Sequence, residues 1–256
     1  MKVAISGKGG VGKTTLAGIM ARILDERGYK VLAIDADPDS NLGDAIGFTE
    51  DELKFAKPLA EMEEFIRERT SSKKGQYGTF FKLNPKVDDI PERFSVIKGN
   101  IKLVILGNIA KGGGGCFCPE NVLLKNLISY VFIERNEFVI VDMEAGLEHL
   151  GRGTTEFIDS MIVVVEPGKR SIQTAKEIKR LAKDLGIKNV SIVGNKIKGD
   201  EDVSLLKGKL EDFPYLGSIG YNENILKADR LGVSPYDMDI GLREEVINIL
   251  NNLKAL

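Results

Sequence analysis

Apolar positions along the chain fall into two recurring patterns. The first is a set of short runs: "KVAIS" (2–6), "VLAID" (31–35), "KLVIL" (102–106), "FVIVD" (138–142), "MIVVVE" (161–166) and "VSIVGN" (190–195), with "YLGSIG" (215–220) as a possible addition. Each run is continuously apolar rather than alternating, which is how strands read when both faces of a parallel sheet are covered. The second pattern is helical. Leu16, Ile19, Met20, Ile23 and Leu24 recur at i, i+3, i+4, i+7 and i+8, and Gly28 is a plausible stop. Residues 121–134 and 171–185 repeat the spacing, the second ended by Gly186. Strand–helix–strand alternation predicts an α/β fold: a doubly wound, mostly parallel sheet of about seven or eight strands flanked by helices.

Two segments depart from that alternation. Residues 49–100, with "DELKFAKPLAEMEEFIRERTSSKKGQYG", are charged and irregular, and read as a partly helical insertion within one domain spanning 1–256. The expectation there is a solvated cover. The C-terminal "GLREEVINILNNLKAL" (241–256) places Leu242, Val246, Ile249, Leu250 and Leu253 on a broad apolar face. Its polar side carries Glu244 and Glu245, so the helix reads as core-packed rather than membrane-lying.

Composition narrows the classes of partner. The 256 residues carry 36 basic and 38 acidic side chains, a net charge of −2, which supplies no general attraction for nucleic acid or an anionic membrane. No apolar stretch approaches the roughly 20 residues of a membrane helix. The first ten residues are too glycine-rich for a signal peptide, and two cysteines make no disulfide framework. The expectation is a soluble, cytoplasmic protein with reduced thiols.

"GKGGVGKT" (7–14) fits G-x-x-x-x-G-K-[ST] between a predicted strand and a predicted helix, the context of a P-loop. Glycines at Gly7, Gly9, Gly10 and Gly12, with Val11 between them, let backbone N–H groups turn inward around phosphate oxygens. The helix opening at Lys13, Thr14 and Thr15 adds its positive N-terminal end. Lys13 supplies a point charge to the β and γ phosphates, and the Thr14 hydroxyl is a ligand for Mg²⁺. Two further strands end in carboxylates. "AIDADPDSNLG" (33–43) carries Asp35, Asp37 and Asp39, and "VIVDMEAGLEHL" (139–150) carries Asp142. Ligand-binding residues of open α/β sheets gather at the C-terminal ends of strands. Asp37 and Asp142 therefore read as functional, whereas Asp39 suits a helix N-cap.

"KGGVGKTT" carries a second lysine, Lys8, at the front of the loop. Together with "DADPDSNLG" and "DMEAG" it resembles the deviant Walker A ATPases, the group of the Min and Par ATPases, the nitrogenase iron protein and metal-cluster accessory ATPases. The resemblance implies a P-loop NTPase fold and an ATP-driven homodimer in which Lys8 reaches the nucleotide of the partner subunit. It also implies Asp37 as the residue that orients the attacking water and Asp142 in the Mg²⁺ shell. For the base, "GNKIKGD" (194–200) begins like a guanine-reading motif, but Lys198 stands where a carboxylate would accept from guanine. Asn195, with Lys196, suits an adenine edge, so ATP is expected over GTP. Tyr221 and Asn222 in "IGYNEN" resemble the family's adenine-side loop, with Gly220 in place of its proline.

"KGGGGCFCPEN" (111–121) holds both cysteines of the chain, Cys116 and Cys118, one residue apart. Pro119 and Glu120 suit the first turn of a helix, which puts Cys118 at the N-cap and favours its thiolate. Thiolates bind soft or borderline metals, but one CxC falls short of the four ligands a structural zinc site takes. Two CxC loops meeting at a dimer two-fold would supply four. An iron–sulfur cluster, a CxC disulfide and incidental cysteines remain as alternatives. His149, the sole histidine, reads as structural or as part of a switch. "GCFCPEN" with "DMEAGLEHLGRGT" and "EMEEFIRERT" further resembles the accessory ATPases that insert nickel into carbon monoxide dehydrogenase. That resemblance implies Ni²⁺ or Zn²⁺ held at the dimer interface by Cys116 and Cys118, and a metallochaperone with this enzyme as client, whereas the even charge and the core-packed terminal helix argue against a nucleic acid or membrane partner. Nickel insertion into acetyl-CoA synthase, a MinD/ParA-type positioning ATPase and an iron–sulfur electron carrier are the other readings.

Overall fold

The computed structural model describes residues 1–38, 41–72, 82–107, 119–134, 137–145 and 158–254. Among them, eight strands form one sheet: β1 (Lys2–Gly7), β2 (Val31–Ala36), β3 (Val96–Lys98), β4 (Ile101–Ile105), β5 (Phe138–Met143), β6 (Ser160–Val165), β7 (Val190–Ile197) and β8 (Tyr215–Gly220). Their order is β3-β4-β2-β5-β1-β6-β7-β8. All neighbours are parallel except β3 and β4, which pair antiparallel with Val96 opposite Leu103. The doubly wound, mostly parallel expectation is borne out.

The helices are α1 (Lys13–Glu26), α2 (Leu42–Ile46), α3 (Glu50–Leu53), α4 (Glu63–Thr70), α5 (Ile90–Phe94), α6 (Pro119–Glu134), α7 (Lys169–Leu185), α8 (Asp200–Lys209), α9 (Glu223–Leu231), α10 (Pro235–Met238) and α11 (Ile240–Asn252). Alternate residues of the central strands feed two opposite cores. Val3 and Ile5 of β1 pack with α1 and with Leu242, Val246, Ile249 and Leu250 of α11. Ala4, one residue between, faces Leu123, Leu127 and Val131 of α6 and Ile172, Ala175, Ile178 and Ala182 of α7. This two-sided burial is why the strands read as unbroken apolar runs. The terminal helix α11 buries its apolar face against the sheet, as its Glu-bearing polar side predicts. Among the described residues no helix is long and apolar enough to cross a membrane.

The segment 49–100 differs from its expectation in two ways. It contributes β3, an edge strand whose Ile97 is exposed, and three residues sit below the length at which alternation can be recognised in a sequence. It also sends Leu59, Ile66 and Ile90 fully into the α6–α7 core, so its described part is packed cover rather than solvated cover.

The topology concentrates chemistry at one place. β2, β5, β1 and β6 are adjacent at the centre of the sheet, and β2 and β1 flank β5 so that Asp35 and Ile5 each pair in register with Asp142. The segments leaving the C-terminal ends of these strands therefore meet.

Candidate functional site

The loop leaving β1 turns through backbone conformations that side chains resist. Gly12 has φ of +95°, and a Cβ there would lie 2.1 Å from Asn195 Nδ2. At Gly7 a Cβ would lie 2.6 Å from the Val164 carbonyl of β6. Both glycines are thus required by close approach as well as by conformation. From outside, the end of β7 braces the loop. Asn195 Nδ2 donates to the Val11 carbonyl at 2.6 Å, and Lys196 Nζ donates to the Gly10 carbonyl at 2.8 Å. Inside, α1 begins at Lys13 with no side-chain cap and no acidic residue in its first turn. Its leading N–H groups, including those of Thr14 and Thr15, remain available to an anion, and the helix dipole adds positive potential there.

The charged groups pair across segments. Lys13, almost fully buried, places Nζ 3.2 Å from Asp37 Oδ2. Thr14 Oγ1 donates to Asp142 Oδ2 at 2.6 Å. Burial pushes the Asp142 carboxyl up to about 6, against the Thr14 hydrogen bond and the Lys13 charge that favour its ionised form. Asp35 is pushed up to about 8, mainly by burial, even though it accepts from the Leu42 amide at 3.0 Å and the Asp37 amide at 3.3 Å. At the rim, Lys8 Nζ lies 3.9 Å from Glu166, and the same carboxylate stands 3.2 Å from Lys196. The loop and Asp37 open onto a cleft of about 1440 Å³ that extends past Asp44 and Phe48 to Leu226 and Val233.

The donor set fits a magnesium ion. Thr14 and Asp142 supply hard oxygen ligands side by side, and among the described residues the other Asp142 oxygen, Oδ1, is buried without a hydrogen-bond partner.

The structure brings Gly7, Gly9, Gly10, Gly12, Lys13, Thr14, Thr15 and Asp37 to one cleft, with Asp142 bonded to Thr14 at its floor. The base-side residues are arranged differently. The Asn195 amide is engaged on both ends, with Val11 and with the Lys196 N–H, so here it braces the loop. Asn222 caps α9 by accepting from the Asn224 amide, and donates to Asp239 at 2.9 Å. Half-exposed Tyr221, with Lys198 Nζ 5.0 Å from its ring centre, lines with Asn222 a second, smaller cleft of about 390 Å³. Cys116, Cys118 and His149 lie outside the described residues. Two participants escaped the sequence reading. Ser6 Oγ donates to the Glu144 carbonyl at 2.7 Å, joining the ends of β1 and β5. Glu166 gathers Lys8 and Lys196. The only sequence signal for Glu166 was its place just past the C-terminal end of an apolar run.

A P-loop braced by a neighbouring strand, with a buried lysine and two buried aspartates at the C-terminal ends of central parallel strands, defines a nucleotide-binding protein. The chain belongs to the CobQ/CobB/MinD/ParA nucleotide-binding domain family, whose model matches residues 2–239. It is 46% identical over 245 residues to the carbon monoxide dehydrogenase accessory protein CooC of Rhodospirillum rubrum, covering 96% of this chain and 93% of that protein. An uncharacterized ATP-binding protein of Methanocaldococcus jannaschii is 43% identical, over 100% of this chain and 98% of its own. Among solved structures, the MinC:MinD cell division complex of Aquifex aeolicus superposes with a TM-score of 0.70 at 19% identity, covering 100% of this chain and 96% of that one. That last likeness establishes the shared fold.

Proposed function

We propose that this chain is a Mg²⁺-dependent ATPase that supports nickel insertion into carbon monoxide dehydrogenase. The observation that carries the reading is the near full-length likeness to the R. rubrum accessory protein. The site geometry supports the ATPase half of it. Lys13 is held by Asp37 in this structure. Phosphate oxygens entering the loop compete for Lys13, and Asp37 is then released to accept a hydrogen bond from water. That water attacks the γ-phosphorus as the bond to the bridging oxygen breaks, giving ADP and phosphate. Mg²⁺ held by Thr14 and Asp142 would neutralise charge on the β and γ phosphates.

The dimer and metal follow the same reading. Lys8, half-exposed at the rim, reaches the nucleotide of a partner subunit. Cys116 and Cys118 of each subunit supply two thiolates, and a dimer supplies four for Ni²⁺ or Zn²⁺ as cargo. Nucleotide binding alters their spacing, so ATP and metal affinities change together and by equal factors.

Carbon monoxide dehydrogenase matured with this chain, without it, and with its Lys13→Ala variant tests the proposal. Nickel content and CO oxidation should be high in the first case and low in the other two. Equal nickel content in all three would remove the function.

A further inference from the structure

Charge on this chain is unevenly placed. Residues 169–188 hold seven basic and two acidic side chains, although the whole chain carries −2. Lys169, Lys176, Arg180 and Lys183 of α7 recur at i, i+7, i+11 and i+14, which aligns them along one side of the helix. All four are exposed, and among the described residues none forms an ion pair with a carboxylate. The line extends about 20 Å at the helical rise per residue. Lys179 flanks it, its ammonium 4.2 Å from the centre of the Phe213 ring. The stripe begins at Lys169, directly after Gly168 and three residues after Glu166, the carboxylate beside Lys8, so its first lysine stands next to the rim of the nucleotide site.

We infer that this face of α7 docks a protein surface bearing a cluster of carboxylates. The charge complementarity selects an anionic partner, and the surroundings select its kind. A membrane-lying helix must offer an apolar face to lipid, whereas Ile172, Ala175, Ile178 and Ala182 are spent on the sheet. A nucleic acid needs a continuous basic track, but Glu177 and Asp184 adjoin the stripe and the remainder of the chain is net acidic. A short, bounded row of lysine and arginine matches the limited acidic patch of a folded protein, where opposed charges steer encounter and fix orientation. A partner seated there reaches the loop that carries Lys8.

The test uses the full chain with ATP and Mg²⁺ and a deca-glutamate peptide as surrogate, read by acetylation footprinting. Lys169, Lys176 and Lys183 should be protected, while exposed Lys57 and Lys227 stay reactive. Lys176→Glu/Arg180→Glu/Lys183→Glu should weaken binding by about tenfold or more, the glutamine triple variant less, and ATP hydrolysis should be unchanged in both. Protection elsewhere, or binding indifferent to the reversal, overturns the proposal. So does tighter binding at equal salt of a short DNA duplex or of phosphatidylglycerol vesicles to the same lysines. A change in oligomeric state on reversal would make the stripe a contact between copies, and would overturn it too.

Discussion

Single atoms decide whether the phosphate loop can form. Gly12 meets two constraints at once, a φ of +95° and a side-chain amide 2.1 Å from where a Cβ would sit. Gly12→Ala should lower stability by about 1–3 kcal/mol and abolish ATP binding, checked by thermal unfolding and by nucleotide titration. Asp35 poses a different problem, a buried carboxylate whose folded-state pKa is raised from an ordinary 3.8 to about 8. The folded chain therefore holds a proton that the unfolded chain has released. Its stabilising contribution is complete below pH 3.8 and is lost as pH rises through about 8. Asp142 acts in the same direction, with its loss complete above about 6. Asp35→Asn keeps an acceptor for the Leu42 amide but cannot ionise. Its unfolding midpoint should fall less steeply than that of the wild type between pH 6 and pH 8, the window set by these two values. Parallel curves would mean that Asp35 is ionised in the fold.

Strands and helices hold these atoms by contacts distant in sequence. β7 runs parallel to β6 on the far side from β1, yet its end supplies both braces of the β1 loop, Asn195 to Val11 and Lys196 to Gly10. Asn195→Ala removes one brace and leaves the Val11 carbonyl short of a buried partner. It should cost about 1–2 kcal/mol in stability and weaken ATP binding severalfold, measured by calorimetry. A loss confined to GTP/ATP discrimination would instead return Asn195 to the base. α2, which follows the Asp37 segment, is packed closely on α1: a Cβ at Gly18 would lie 2.7 Å from Ala45. Its C-terminal carbonyls are tied elsewhere, Ala45 to Ser234 Oγ at 2.6 Å and Ile46 to Arg22 at 2.9 Å. These contacts tie α2 to α1 and to the segment before α10.

For the whole molecule, the proposed function turns on assembly into a dimer. Lys8 is paired with Glu166 of its own chain, a rim contact that a half-exposed lysine can leave at small cost. Lys8→Ala should leave ATP binding within one subunit largely intact and remove ATP-dependent dimerisation. Light scattering with and without a nonhydrolysable analogue reads this directly, and an unchanged monomer–dimer balance would discard the trans role. Cys116→Ala/Cys118→Ala should reduce nickel or zinc bound per dimer to background, by metal analysis, while the chain still binds ATP. Metal retained by that variant would place the ligands elsewhere.

The chain order of apolar runs, the P-loop and the carboxylates at the C-terminal ends of β2 and β5 were legible in the sequence because each depends on local pattern: unbroken apolar runs, glycines at fixed spacing, acids at strand ends. Local pattern could not show β3, too short to alternate, nor that Leu59, Ile66 and Ile90 carry the irregular segment into the core. It named Asn195 and Asn222 from their neighbours in sequence, whereas their partners, Val11 and Asp239, were selected by the sheet order and the fold-back of α11. Glu166 and Ser6 entered the site only because β6 and β5 flank β1. The sequence by itself determined which groups could handle a phosphate. The tertiary structure decided which of them are buried, paired or released, because burial and pairing depend on strands that are neighbours in space and far apart in the chain.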